Sequence, residues 1–588
     1  MRAWRGSQGL AAAGVLAVMV VWRAVLLGGS FFNQDDFYLS GRAYDADLSI
    51  DFLLRDTAGH VNPLQQLTYW LVAHHTPYDW GVVATFVLIL QTLTVVVMWQ
   101  VLSRLLPGRW VRVPLLAAFA WAPLTLATTL WWSAAMGLWP HLLCSLIAVL
   151  FLLRLREGAH PAWLNGAVVV SASIVGLLWH ERAVLIAPVV LATAVVLTDD
   201  AVGWRRIVFA LRRHRWLWLA QAAVLAGFLW GHGRLTDVEG GSVSAREALS
   251  ISWAFIGENV LPGLLGGPWT ARLEGGAVHP PVWVTVLSLL ICLALLALAL
   301  WRGGPARRWA VALFVAYVVT DLVLVLAGRG GFGRLIGLDP RYSGDVIHVA
   351  VLSAALALRG SPRAFGFDWL AQSWRQRRTI GIVGTTAIFL VACAFGTATL
   401  IPHFQNKEDR AYLTAIRGDL VQDPRQTLVD DLVPQEVVLP LVGEDSLLSR
   451  VLAPLPESPV FTQPSYHLRS VAEDGRLVPV VIEGGVESRP GPSEPCGYRA
   501  TAESVDVRFP IDLSGELLLL VRYFTDEEAT VDVTVGAWQT ELRVVPGPNE
   551  VWIPVPDLDE GFEAVGFSVQ GPSAVCVTDV TAGQAAPP

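Results

Sequence analysis

Two adjacent carboxylates, Asp35 and Asp36, follow the first strongly apolar stretch of the chain in the run FFNQDDFYLS. Ionised groups are costly at a membrane edge, so an acid pair there needs a chemical or a structural reason. One carboxylate could take the proton of an incoming hydroxyl at the depth of the lipid headgroups. Its neighbour, pointing elsewhere, could orient that hydroxyl or bind a divalent cation such as Mg or Mn, ions that prefer oxygen ligands. The structural alternative is an N-cap, since NQDD also suits the start of an interfacial helix.

Fixed positive charge that could meet an anion occurs in GRGGFGRLIGLDPRYSGD, which holds Arg329, Arg334 and Arg341 with Tyr342 beside the last. Guanidinium groups fork onto phosphate oxygens, and Arg and Tyr also anchor chains at headgroups; both roles are open. In LLWHERAVLIAP, His180, Glu181 and Arg182 form either a hairpin cap or part of a cavity. Asp321 sits inside the apolar run VVTDLVLVLAG and is expected to pair with an arginine or to face that cavity. His60 lies in the same long segment as the acid pair. Trp131, Trp132 and Trp139 read as an interface belt, with sugar stacking as the alternative.

The elements that position these residues are membrane spans. Of 588 residues, 54% are hydrophobic and 16% charged, with mean hydropathy +0.50, too apolar for a water-soluble protein of this size. Apolar windows fall at 9–28, 81–103, 113–131, 138–154, 163–179, 182–198, 215–231, 281–301, 309–327, 345–359 and 379–401, about eleven spans. The first is expected to be an uncleaved helix, because no small-residue cleavage site follows it. Lys407 is the only lysine. Arg2, Arg5, Arg104, Arg109, Arg112, Arg154, Arg156, the cluster Arg205 to Arg215, Arg302, Arg307, Arg308, Arg359, Arg363, Arg375, Arg377 and Arg378 fall in alternate loops. Those loops should be cytoplasmic, with the N-terminus. The segments 29–80, 232–280, 328–344 and everything after 402 then lie outside. From residue 403 onward, about 30 acids face about 12 bases, so a basic membrane part precedes an acidic, water-exposed tail.

The segment 29–80 is long enough to be functional. Within it, NPLQQLTYWLVAHH carries Leu64, Leu67 and Leu71 at helical spacing and is expected to lie flat at the interface. REALSISWAFIGENVLPGLLGGPWT, broken by Pro262, Gly263, Gly266 and Gly267, reads as a re-entrant or surface helix. In the tail, KEDRAYLTAIRGDL is helical, with Leu413, Ile416 and Leu420 on one face. Short alternating runs then predict a β-sandwich: VDVRFPI, GELLLLVRYF, ATVDVTVG, TELRVVP, EVWIPVP, EAVGFSV and SAVCVTDV. The expected organisation is a membrane domain 1–402, a mixed α/β linker region 403–490, a hinge at Pro490–Pro495 and a sandwich 491–588. Cys496 and Cys576 are the two cysteines of the tail and permit one pairing, closing a loop of about 80 residues. Tyr523, Trp538 and Trp552 fill the sandwich or stack on sugars.

An acid pair directly after span one, a long first outer loop with interfacial helices, an Arg-Tyr element before a late span and a soluble C-terminal domain together resemble the GT-C superfamily of membrane glycosyltransferases. The resemblance implies a polyprenyl-phosphate-linked sugar donor and a glycan or protein acceptor outside a bacterial plasma membrane. It implies Asp35 or Asp36 as the catalytic carboxylate, Arg341, Tyr342, Arg334 and Arg329 around the donor phosphate, and His60, His180, Glu181 and Asp321 as cavity candidates. The tail resembles the jelly-roll, carbohydrate-binding-module-like domains that close several actinobacterial members. Arabinan, mannan and protein mannosylation are all open as outcomes. A polymerase or ligase of the same superfamily, or a transporter or flippase of envelope lipids, is the alternative; the latter predicts internal repeats, and none is evident. No P-loop, zinc-protease or CxxC motif occurs, and the acidic tail excludes nucleic acid.

Overall fold

A computed structural model describes residues 4, 6–158, 161–236, 243–301, 304–359, 374–423, 426–558 and 560–588. Arg2, Arg5, Arg302 and Arg363 lie outside the described residues, as do the side chains of Arg375, Arg377 and Arg378. The chain divides into two compact units, Met1–Asp36 with Ala46–Lys407, and Phe37–Asp45 with Glu408–Pro588.

The first unit is helical. Among the described residues, seven helices are long and apolar enough to cross a membrane: Ser7–Gly28, Trp80–Leu105, Trp132–Glu157, Ala162–Trp179, Val282–Trp301, Pro305–Phe332 and Gly384–Gln422. The other four apolar windows differ for local reasons. In 113–131, Pro123 lacks the N–H that a continuous helix needs, and the segment breaks into Arg112–Trp121, Pro123–Thr125 and Leu126–Thr129. The Ala122 carbonyl at the break accepts from Arg23 of the first helix at 3.2 Å. Window 182–198 begins as the 3₁₀ turn Glu181–Leu185 before the helix Ile186–Val196. Arg215–Leu235 is long but carries Gln221 and His232, and Val346–Arg359 has only 14 residues.

Trp132–Glu157 is the hub. Its apolar window is 83% buried, against 17–39% for the other six, so it faces protein rather than lipid. The shorter helix Pro63–His75 buries Gln65, Gln66, Tyr69, Val72 and Ala73. Leu71, on the expected apolar face, is 45% exposed; the inward face mixes two glutamines with Tyr69, Val72 and Ala73. In the segment expected to be re-entrant, Ala245–Trp253 runs into a π-helical stretch, Ala254–Val260, and then Leu261–Leu264.

The second unit holds the helix Lys407–Gln422, which buries Leu413, Ile416 and Leu420, and the β-rich tail. All seven alternating runs are strands. One antiparallel sheet orders Gly547–Val555, Leu517–Thr525, Val575–Ala586 and Val481–Glu487, with Tyr498–Ala500 also on Val575–Ala586. The other orders Trp538–Val544, Ala529–Val535, Phe562–Gln570 and Val505–Leu513. Inward residues of both, among them Val507, Phe509, Leu519, Val521, Val533, Val551 and Phe567, make one core, as period-two alternation dictates. Val481–Glu487 joins the first sheet in antiparallel register with Val575–Ala586, so that sheet takes in residues before the expected boundary at 491. Cys496, in the turn before Tyr498–Ala500, is bonded to Cys576 of Val575–Ala586, S–S 2.07 Å. Tyr523 is a core residue, and Trp538 and Trp552 pack half-buried against apolar clusters; all three fill the fold.

Candidate active site

The helix Asp35–Tyr44 starts with a reciprocal pair of bonds. Asp36 N donates to the Asn33 carbonyl at 2.8 Å, and Asn33 N donates back to Asp36 Oδ2 at 3.0 Å, the backward half of a capping box. The expected cap is therefore realised, and by Asp36. Its other oxygen accepts from Tyr69 Oη at 2.7 Å and from Ser133 N at 2.9 Å. Ser133 stands in the first turn of Trp132–Glu157, where unpaired N–H groups and the helix dipole favour a carboxylate. Asp36 is fully buried, and burial pushes its carboxyl up to about 7 against the pull of these three donors.

Asp35 differs. It is half-buried; burial raises its pKa, and Arg341, Arg329 and His60 oppose that rise, with the Ser133 side chain assisting. The acid and two guanidinium groups thus share one neighbourhood.

Arg341 is held twice. Its Nε and Nη2 fork onto Asp339 at 2.8 and 2.5 Å, and Asp339 also caps the turn Pro340–Tyr342 by accepting from Arg341 N at 2.9 Å. The guanidinium carbon lies 3.7 Å from the ring centroid of Trp131. Tyr342 lies between two cations, 6.0 Å from Arg341 and 5.5 Å from Arg182.

Arg329 donates to the Ala58 carbonyl at 3.0 Å and to His60 Nε2. That leaves the His60 ring proton on Nδ1, which is 2.7 Å from Glu181 Oε1, close but off the hydrogen-bond line. Burial alone would raise Glu181; His180 and His60 outweigh it and hold this carboxyl well below the usual range. His180 caps the 3₁₀ turn, accepting from Arg182 N at 3.2 Å. Its ring lies so close to Gly137 that a Cβ there would come within 2.5 Å of it. His60, Glu181 and Arg329 therefore form one chain leading to Asp35.

Two predicted residues are paired with opposite charge. Arg334 forks onto Glu258 of the π-helical stretch at 2.6 and 2.7 Å. Asp321 is fully buried and paired with Arg182 at 3.8 Å, while Asp345 takes the same guanidinium at 3.4 Å. Tyr317 donates to Asp345 at 2.7 Å, His141 is 3.4 Å from Tyr317, and Ser145 is 3.2 Å from His348. The sequence reading did not single out His141, Tyr317, Asp345 and His348; the available signal was isolated polar residues in apolar runs. Trp131, Trp132 and Trp139 are 5%, 0% and 1% exposed. They are not an interface belt, because they pack around the hub helix: Trp132 lies 4.0 Å from the Tyr69 ring and Trp139 donates to Thr129.

Among the described residues, no group of three or more His, Cys, Asp or Glu side chains is placed to hold a metal ion. A divalent cation at the acid pair would find Asp36 already accepting three donors and Asp35 beside two guanidinium groups, a poor ligand set.

No protein-family model matches the chain, and no curated protein does. Among solved structures, the arabinofuranosyltransferase AftD from Mycobacteria aligns over 97% of this chain and 60% of its own, at 11% identity and TM-score 0.35. This chain therefore spans about three fifths of AftD. ArnT from Cupriavidus metallidurans, solved bound to undecaprenyl phosphate, aligns over 80% of this chain and 94% of its own, at 13% identity and TM-score 0.45. With both structures this chain shares a partial likeness of fold at low sequence identity.

Proposed function

We propose that the chain is an integral membrane glycosyltransferase that moves a sugar from a polyprenyl-phosphate donor to the hydroxyl of an extracytoplasmic glycan or protein. The observation that carries this reading is the half-buried Asp35 within the electrostatic reach of Arg341 and Arg329. The acceptor oxygen attacks the anomeric carbon while Asp35 takes its proton. The bond from that carbon to the phosphate oxygen breaks, and its electron pair leaves with the polyprenyl phosphate. Arg341 and Arg329 stabilise the departing anion, and Tyr342 lines the site beside them. Asp36 holds the helix start that aims Asp35, and no step passes through a metal. In this reading the basic loops face the cytoplasm and the acidic tail lies outside, where the two sheets that share one core form a jelly-roll-like module.

The test is sugar transfer by Asp35→Asn in membranes supplied with polyprenyl-phosphate-linked sugars. Transfer should drop by at least about 100-fold with undecaprenyl phosphate binding retained. Transfer at the wild-type rate would remove Asp35 from the mechanism.

A further inference from the structure

Three consecutive residues at the start of the hub helix each hold a different part of the site. Trp131 lies under the Arg341 guanidinium at 3.7 Å. Trp132 packs 4.0 Å from the ring of Tyr69, whose hydroxyl donates to Asp36 at 2.7 Å. Ser133 N donates to Asp36 at 2.9 Å. Asp35 is the covalent neighbour of Asp36. The spacing between the proposed base and the proposed phosphate-holding group is thus referred to one turn of one buried helix.

Asp339 alone leaves this spacing loose. Its fork engages Nε and Nη2 in the plane of the guanidinium and resists sliding within that plane. It does little against tilting out of the plane, which is the motion an aromatic face opposes. The rest of the Trp131 side chain argues that the face is what the site uses. Trp131 is 5% exposed and its indole N–H is buried with no hydrogen-bond partner among the described residues, a cost that a phenylalanine would avoid.

We propose that Trp131 is a positioning residue that sets the height of Arg341 above the hub helix and so tunes the grip on a lipid-linked phosphate. The proposal rests on the reading of Arg341 as the phosphate-holding group. The probe is undecaprenyl phosphate, bound to the full-length protein in detergent, with affinity measured for wild type, W131F, W131L, R341Q and the W131L/R341Q pair.

W131L should weaken binding about tenfold, W131F should stay within about twofold because it keeps an aromatic face, and W131L should add nothing in the R341Q background. An equal W131L loss with and without Arg341 overturns the proposal, since packing alone would then explain it. An R341Q protein that binds like wild type overturns the proposal together with the phosphate assignment. A weakened R341Q with an unchanged W131L overturns the proposal alone. Should W131L fail to fold, mono- and trifluorotryptophan introduced at position 131 keep the shape and drain the ring face. Affinity falling stepwise with fluorination supports the proposal, and affinity independent of fluorination overturns it.

Discussion

Asp35 and Asp36 are neighbours in sequence and opposites in environment: Asp36 is fully buried and accepts three hydrogen bonds, whereas Asp35 is half-buried among two guanidinium groups and an imidazole. Adjacent residues on a helix point about 100° apart, so Asp36 serves the fold while Asp35, the proposed base, faces a different side.

The first prediction separates the two. Asp35→Asn should lose transfer and keep its melting temperature. Asp36→Asn should lose stability, because its new amide hydrogens meet donors, a cost of about 1–3 kcal/mol. The folded-state pKa of Asp36, about 7, lies above the ordinary 3.8, so its contribution to stability is full below 3.8 and declines as pH rises through that window. The melting-temperature gap between wild type and Asp36→Asn should therefore shrink with rising pH; a gap that widens contradicts the assignment.

The second concerns the acid limb of the rate profile. Asp35 must be ionised to act as base, and burial raises its pKa. Transfer should fade with falling pH while still above the ordinary carboxylate range. Arg341 lowers the pKa of Asp35, so in Arg341→Gln the residual activity should fade at higher pH still. A limb that stays in place or moves down would show that the two do not interact.

Much of this arrangement was legible in the sequence, and its gaps have a physical cause. The acid pair, Arg341 and the HER turn stand out by local chemistry and seven strands of the sandwich by period, whereas Val481–Glu487 and Tyr498–Ala500 do not. What escaped depends on contacts between distant segments: Tyr69 on Asp36 is 33 residues away, and Ser133 is 97 away. Pro63–His75 shows the limit of periodicity, since Leu64, Leu67 and Leu71 mark an apolar stripe while the helix buries Gln65, Gln66, Tyr69, Val72 and Ala73 instead. In a lipid solvent the apolar face need not be the buried one. The tryptophans at 131–139 misled for the same reason, because composition does not distinguish a hub helix from a lipid-facing one.

The third prediction follows the chain Glu181, His60, Arg329. His60→Ala removes the acceptor that holds Arg329, and undecaprenyl phosphate affinity should fall by about three- to tenfold. Glu181→Gln should act through His60, so the double variant should be no weaker than His60→Ala. Additive losses would break the chain into two unrelated contacts.

The fourth concerns the buried cluster. Arg182→Leu leaves Asp321 and Asp345 without their shared cation and should cost about 3–5 kcal/mol, visible as lost expression or a lowered melting temperature. Asp321→Asn should be mild, because neither Asp321 oxygen has a hydrogen-bond donor among the described residues. Equal damage from both would mean that the cluster is not organised around Arg182.

The most direct measurement is a cryo-EM structure of the full chain with undecaprenyl phosphate bound. The phosphate should lie within hydrogen-bond reach of Arg341, with the Asp35 carboxylate facing the space that a sugar on that phosphate would fill. A phosphate seated away from Arg341, or an Asp35 turned from it, would contradict the account.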